Sequence, residues 1–135
     1  MQTNSQKMAH AAYTALLAAK PHDEFTSFAK GFPALIHTCG VAQAVLFALG
    51  KSARNDHHKS YLNVLCAVLQ SVGATDAKDG KALEEKCRMA GLPEYLLLSR
   101  DALAAAGWIK RYAEAADADS GAADNAAPAT QGGVK

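Results

Sequence analysis

The apolar residues of this chain recur every three or four positions, which is the spacing of one helix face. The period is clearest over residues 56–73, where Tyr61, Leu65, Val68 and Val72 fall on one stripe. Composition agrees, because 30 Ala and 14 Leu residues stand against 14 Val, Ile and Thr residues combined. Ala and Leu suit helices, whereas β-branched side chains suit pleated sheets. We therefore predict an all-α protein and disfavour a β-sandwich, a barrel or a doubly wound sheet.

Proline and glycine residues divide the chain into segments. Pro21 ends a first helix, since proline cannot continue a helix interior. Gly31 and Pro33 are expected to bend a second helix or split it, and Asp79 is a suitable N-cap for a later one. The predicted helices span about 4–20, 23–40, 41–52, 56–73, 80–91 and 93–116. The first carries Met8, Tyr13, Leu16 and Leu17 on one side, and the third carries Val45, Leu46 and Leu49 on one stripe, so these residues are expected in the core. The helices make a single compact bundle of about five to six helices.

The C-terminal segment differs in composition from the rest. Residues 117–135 contain no large apolar side chain beyond Val134. Such a segment cannot bury enough surface to offset the entropy lost on ordering. We predict a helical domain over 1–116 and a disordered Ala/Gly/Asp-rich tail over 117–135.

Several features favour a soluble protein of the cytoplasm. No run approaches the ~18 apolar residues of a membrane span, so no membrane partner is expected. Residues 1–20 lack the apolar core of a secretory signal. Cys39, Cys66 and Cys87 are odd in number and widely spaced, which favours reduced, buried thiols over a disulfide framework.

Five histidines raise the question of a metal site, but their spacing argues against one. The chain has no CxxC, HxxxH or HExxH motif, and adjacent His57 and His58 point about 100° apart on a helix. His37 and Cys39 differ by two positions and cannot share a helix face. We expect no metal and no cofactor. A Cys–His nucleophile assembled from distant segments stays open, although Cys39 falls near a helix C-terminus, where the helix dipole disfavours a thiolate.

Two other patterns fall short of a catalytic site. Gly50-Lys51-Ser52 matches the end of a phosphate-binding loop, but Val45 replaces the glycine required five positions before Gly50. Glu84 and Glu85 lie among basic residues, as on a solvated helix face. We therefore expect a protein that is not an enzyme.

The last predicted helix places two arginines opposite its apolar stripe. Arg100 and Arg111 lie about 20° apart around the axis and about 16 Å apart along it. Residues 1–116 carry 13 basic and 10 acidic side chains, a net charge of +3 that permits an anionic partner. This face suits a nucleic-acid backbone. The alternative interpretation is that both arginines are ordinary solvated surface residues. The stripe comprises Tyr95, Leu98, Ala102, Ala105, Ile109 and Tyr112.

Two sequence blocks resemble one known family. The first, over residues 28–49, is FAKGFPALIHTCGVAQAVLFAL, and the second, over 95–115, contains YLLLSRDAL and GWIKRYAEA. Together they resemble the small, all-helical subunit of the type III-B CRISPR effector, the Cmr RNA-targeting complex. The resemblance covers residues 1 to about 117. His37, Cys39 and Val41 depart from it, since the family usually has Arg, Asn and Leu there.

The resemblance implies a non-catalytic structural role in antiviral defence. Members of the family stack in a short row inside an elongated ribonucleoprotein and help form the groove in which guide and target RNA pair. RNA cleavage belongs to the backbone subunits and nucleotide signalling to the large subunit. The implied partners are therefore guide RNA, target RNA, the backbone subunits, the large subunit and further copies of the chain.

By position, four basic residues match basic places in the family pattern: Lys30, Arg100, Lys110 and Arg111. The resemblance implies that they bind RNA, although Lys30 and Lys110 are equally compatible with ordinary solvated lysines. Trp108 flanks the apolar stripe, a position that favours a core or subunit contact over a base-stacking platform. A helical adaptor that binds only protein is the alternative function. A small metal-independent enzyme using Cys39 or His57 is the third.

Overall fold

The computed structural model of the chain describes the backbone of residues 1–132 and the side chains of residues 1–117. It contains five helices and, within this range, no strand. The prediction of an all-α bundle is confirmed. The helices are α1 (Asn4–Ala19), α2 (Asp23–Ser52), α3 (Asp56–Ser71), α4 (Gly80–Met89) and α5 (Leu92–Gly132).

Local side-chain chemistry sets where the helices begin. Thr3 and Gln6 form a reciprocal capping box at α1, the Thr3 hydroxyl accepting from the Gln6 N–H and the Gln6 amide oxygen accepting from the Thr3 N–H. Asn55 accepts from the His57 N–H at the start of α3. Asp79 accepts from the Ala82 N–H at 2.9 Å, which confirms it as the N-cap of α4.

The break in α2 lies at Gly40, not at Gly31 and Pro33 as expected. Gly40 has φ 86° and ψ 161°, which are the non-helical dihedrals recorded inside α2. Pro33 keeps its place in the helix because its fixed φ is helical and only one backbone hydrogen bond is lost. Before the break, the Thr38 hydroxyl donates to the Ala34 carbonyl at 2.9 Å. The segments predicted as 23–40 and 41–52 are therefore one element with a kink at the predicted junction.

Helix α3 lies at the centre of the bundle and packs against the other four helices. Its predicted stripe is confirmed at Tyr61, Leu65 and Val68, which have no exposed surface. The Tyr61 ring lies 4.8 Å from that of Phe32 on α2. Small residues of α5, including Ala105, complete the core and allow close helix approach.

The predicted core is wrong at three apolar positions. Tyr13 and Leu17 of α1 are 50% and 61% exposed, and Leu46 of α2 is exposed as well. The buried face of α1 is set instead by Met8 and Leu16, which lie two turns apart. Each exposed residue follows a buried position by one, which turns it about 100° out of the core. On each helix the apolar stripe is therefore wider than the surface that the neighbouring helices cover.

Helix α2 is long and apolar enough to cross a membrane by length and composition alone. Core helices of soluble proteins meet the same criteria. The break at Gly40 divides α2, and Phe25, Phe32 and Val45 are buried in the core that it shares with α3 and α5. We interpret α2 as a core helix.

The bounds of α5 run past Ala116, where the sequence predicts that the helix ends. Side chains of residues 118–132, and residues 133–135 entirely, lie outside the described part of the chain. Within the predicted tail over 117–135 only Asp117 has a described side chain, so the expected disorder of this segment stays a prediction.

Candidate nucleic-acid interface

The outer face of α5 carries two arginines opposite its buried face. Arg100 and Arg111 are exposed, whereas Ala102 and Ile109 have no exposed surface. The predicted opposition of the arginines and the core is therefore confirmed. The two arginines share one face because eleven residues are close to three whole turns of the helix.

The surface between the two arginines is low and unobstructed. Ala104 is exposed, and a Cβ placed on Gly107 would meet no atom within 4 Å. The backbone positions of the two arginines therefore lie at the ends of an open strip about 16 Å long. An extended anion can lie along such a strip without displacing a side chain.

The two arginines differ in their local charge. Arg100 donates through Nε and Nη2 to Oδ1 of Asp101, at 3.3 and 3.2 Å. Its side chain is 68% exposed, so solvent screens this ion pair and its net contribution to stability is small. Arg111 has no ion pair among the described residues. The Arg111 side chain is therefore more available to an anionic ligand than that of Arg100.

The two predicted lysines lie at an edge of α5 that differs from the arginine face. Lys110 belongs to this edge, and Lys30 of α2 lies next to it. Lys30 of α2 is exposed, and its Nζ lies 3.9 Å from Oδ2 of Asp117. Lys110 precedes Asp117 by seven residues, which brings both to the same edge within about 20°. This edge lies about 80–100° from the arginine face. The two lysines therefore do not share the face of Arg100 and Arg111.

An aromatic group lies beside the arginine face. Trp108 and Tyr112 of α5 stack with ring centroids 6.0 Å apart and an interplanar angle of 25°. Tyr13 of α1 lies 5.9 Å from Tyr112 with the planes tilted by 57°. Sequence reasoning missed this group because it assigned Tyr13 and Tyr112 to the core. The signal it lacked is tertiary, since Tyr13 meets Tyr112 only through the packing of α1 on α5.

Large apolar side chains are also exposed where α4 meets α5. Met89 and Leu92 are each 70% exposed, and Leu96 and Leu97 are more than half exposed. An open groove of about 880 Å³ adjoins them, with Met89 and Leu98 in its lining and the Asp76–Lys86 ion pair at its edge. Contiguous exposed apolar side chains are typical of surfaces that bind another protein.

The cysteines are not arranged as nucleophiles. Burial raises the pKa of Cys66 to about 12 and that of Cys87 to about 11, so both thiols stay protonated near neutral pH. Cys39 is half-buried, and its thiol donates to the Leu35 carbonyl at 3.2 Å. All three cysteines are free, as predicted.

Three of the five histidines cluster where α2 and α3 begin. His57 Nε2 lies 3.0 Å from the Glu24 carboxylate, and the His22 ring packs edge-on against that of His57. The His58 ring contacts that of Phe28, with centroids 4.3 Å apart and planes tilted by 55°. Among the residues with described side chains, no three His, Cys, Asp or Glu groups are placed to hold a metal ion.

Comparison with known proteins gives the family. The model of the Cas_Cmr5 family, CRISPR-associated proteins, matches residues 4–116. A Thermus thermophilus protein named CRISPR system Cmr subunit Cmr5 is 36% identical over 118 residues, which covers 85% of this chain and 96% of that protein. The crystal structure of a CRISPR-associated Cmr5 family protein, also from Thermus thermophilus, superposes with a TM-score of 0.73 at 36% identity, over 85% of this chain and 97% of that one. The chain therefore belongs to the Cas_Cmr5 family of CRISPR-associated proteins.

Proposed function

We propose that this protein is a non-catalytic structural subunit of a type III-B CRISPR ribonucleoprotein, the Cmr complex, in the cytoplasm. Its family and the name of its Thermus thermophilus relative support membership of that complex. The proposed partners are guide RNA, target RNA, the backbone and large subunits, and further copies of the chain. The chain stacks along the groove in which guide and target RNA pair.

One observation carries the RNA contact: the exposed pair Arg100 and Arg111 on the face of α5 opposite the core. One helix places the two residues about 16 Å apart along its axis, so their side chains can reach phosphates at separate points of one strand. Contacts of this kind position a strand without distinguishing its sequence. A weak contact per copy suffices, because copies along a row bind the same strand together.

Lys30 and Lys110 are proposed as secondary contacts. Their edge of α5 lies about 80–100° around the helix from the arginine strip, so a strand held by both arginines meets the lysines only at its side. The Asp117 carboxylate beside Lys30 lowers the positive charge that this edge offers. We expect its contribution to RNA affinity to be smaller than that of the arginines.

The alternative function is a helical adaptor that binds only protein. The exposed side chains of Met89, Leu92, Leu96 and Leu97 favour it, because they leave large apolar groups open to solvent around the start of α5. In the leading proposal this same surface contacts neighbouring subunits. The two functions differ in whether the chain binds RNA.

The dependence of RNA affinity on salt tests the choice. If the arginine face binds phosphates, log K falls with log salt by ~0.7 per phosphate on a single strand. An adaptor shows no such binding. Purification of the tagged chain from its host is the companion experiment, since a guide RNA should then accompany the larger protein subunits.

A further inference from the structure

Three aromatic side chains form a continuous strip across α1 and α5. This aromatic strip consists of Tyr13, Tyr112 and Trp108, joined by the 5.9 Å and 6.0 Å ring contacts. Tyr13 is 50% exposed, and the other two rings are half-buried at the surface of the core. Each ring therefore presents part of its surface to solvent.

The polar atoms of the strip are available to a ligand. Neither tyrosine hydroxyl nor the Trp108 indole N–H has a hydrogen-bond partner among the residues whose side chains are described. Because all three rings reach the surface, these polar atoms are open to water or to a ligand.

The charges next to the strip favour an anionic ligand. Trp108 precedes Arg111 by three residues, which places it about 4.5 Å along the axis and about 60° around it. The carboxylate of Asp101 on the Trp108 side of α5 is already engaged by Arg100. Glu114 lies about 120° around the helix from Trp108, beyond Arg111. Around the helix, Arg111 therefore lies between Trp108 and the carboxylate of Glu114.

An anion with flat, apolar rings matches this combination. Single-stranded RNA has that chemistry, with phosphates for the arginines and bases for the aromatic rings. Proteins that hold single strands combine a basic groove with stacking rings in the same way, and the stacking tolerates any sequence because every base has a π-face. Bases paired in a duplex are stacked on one another, so a strip of this kind selects unpaired nucleotides.

We propose that the aromatic strip is a binding site for unpaired RNA bases, with a base stacked on Trp108 while Arg111 holds a nearby phosphate. The inference rests on the proposed function, since the arginine face positions the strand. It adds a preference for single-stranded over duplex RNA, which phosphate contacts alone do not provide.

The sequence supplies its own probe, because Trp108 is the one tryptophan of the chain. Titration of the full chain with single-stranded oligoadenylate should quench its fluorescence, since stacking with a base quenches indole emission. Inorganic polyphosphate carries phosphates without bases, so it should bind at the arginines and leave the emission unchanged. Duplex RNA should quench less than the single strand.

Substitutions separate base contact from phosphate contact. Trp108→Leu should weaken oligoadenylate affinity about fivefold or more, measured by anisotropy of labelled RNA, and leave polyphosphate affinity unchanged. Trp108→Phe should restore most of the affinity, because it keeps a stacking ring. Tyr13→Ser supplies a test on an exposed side chain that leaves the core intact, and should also weaken oligoadenylate binding. Leu17→Ser is its matched control on the same helix and should have no effect.

The outcomes distinguish this site from the proposed function. Equal binding of oligoadenylate and polyphosphate, without quenching and without an effect of Trp108→Leu or Tyr13→Ser, overturns the base contact and leaves the phosphate contact standing. Absence of binding by either probe overturns both. If Trp108→Leu leaves RNA affinity unchanged and prevents co-purification with larger subunits, the strip is a protein contact and the inference is wrong.

Discussion

The hydroxyl of Tyr95 accepts a hydrogen bond from the backbone N–H of Ala42 at 3.2 Å. Gly40 interrupts α2 just before Ala42, and the first N–H groups after such an interruption lack helical acceptors. Tyr95 belongs to the first turn of α5, so this bond ties the start of α5 to the kink in α2. The same hydroxyl would lie 3.3 Å from a Cβ placed on Gly40.

Gly40→Ala is therefore expected to destabilise the fold. The dihedrals of Gly40, φ 86° and ψ 161°, are accessible essentially only to glycine, and the added methyl group would press on Tyr95. We expect a loss of about 1–3 kcal/mol in the free energy of unfolding, measured by urea denaturation. Gly50→Ala is the matched control, because a Cβ there would meet no atom within 4 Å, and it should be neutral or stabilising. Equal effects of the two changes would contradict this account of the kink.

Leu65 tests the assignment of the core. It has no exposed surface and lies on the central helix α3, so Leu65→Ala should cost about 2–5 kcal/mol through lost burial and the cavity left behind. Leu97→Ala is the control at a side chain that is 54% exposed, and its effect should stay within about 0.5 kcal/mol. A cost for Leu65→Ala as small as that of the control would mean that α3 does not occupy the centre of the bundle.

Removal of the C-terminal segment should leave the domain intact. A chain that ends after Ala116 loses the Lys30–Asp117 ion pair, but this pair is long at 3.9 Å and each side chain is 45% exposed. Exposed pairs contribute about 0–1 kcal/mol. The thermal unfolding midpoint should therefore shift by no more than a few degrees. A larger loss would show that residues beyond Ala116 dock against the helical domain.

Stability should decrease in mild acid because of His58. Burial, followed by the nearby charges of Lys51 and His57, lowers the pKa of His58 below its ordinary value of 6.5, and Glu24 opposes this in part. The unfolded chain then binds more protons than the folded one near pH 6, so the free energy of unfolding falls as pH drops through 6.5. His58→Phe keeps a ring against Phe28 and removes the titration, so its stability should depend less on pH.

The control for this pH dependence is His10→Asn, because His10 is exposed on α1. It should retain the pH dependence of the parent chain. Denaturant midpoints measured between pH 5 and 8 decide the question. An unaltered pH dependence in His58→Phe would assign the effect to another group.

Features set by local spacing could be predicted from the sequence, whereas features set by helix pairing could not. Asp79 as an N-cap and the opposition of Arg100 to the core follow from neighbours within a few turns. The exposure of Tyr13 could not be predicted, because an apolar stripe does not reveal how much of it another helix covers. The sequence predicts a helix junction at Gly40, but it could not show that the Tyr95 hydroxyl of a distant helix accepts a hydrogen bond from the Ala42 N–H after this junction.

The same distinction between local spacing and helix pairing applies to the candidate site. Periodicity placed Arg100 and Arg111 on one face, since both belong to one helix. It could not show that Lys30 of α2 lies next to Asp117 of α5, because this contact joins two different helices. The aromatic strip likewise depends on the packing of α1 against α5.

The measurement that tests the account most directly is the affinity of the assembled complex for target RNA when it carries Arg100→Ala/Arg111→Ala. Both arginines are exposed and opposite the core, so the complex should assemble normally. Affinity should fall by a similar factor for RNAs of different sequence, and the salt slope should decrease by about 1.4 per copy if two phosphate contacts are lost. Glu at both positions should weaken binding further. Arg88→Ala, on the exposed surface of α4, is the control and should leave binding unchanged. Normal assembly with unchanged affinity and unchanged salt dependence in the double variant would contradict the RNA contact at this face.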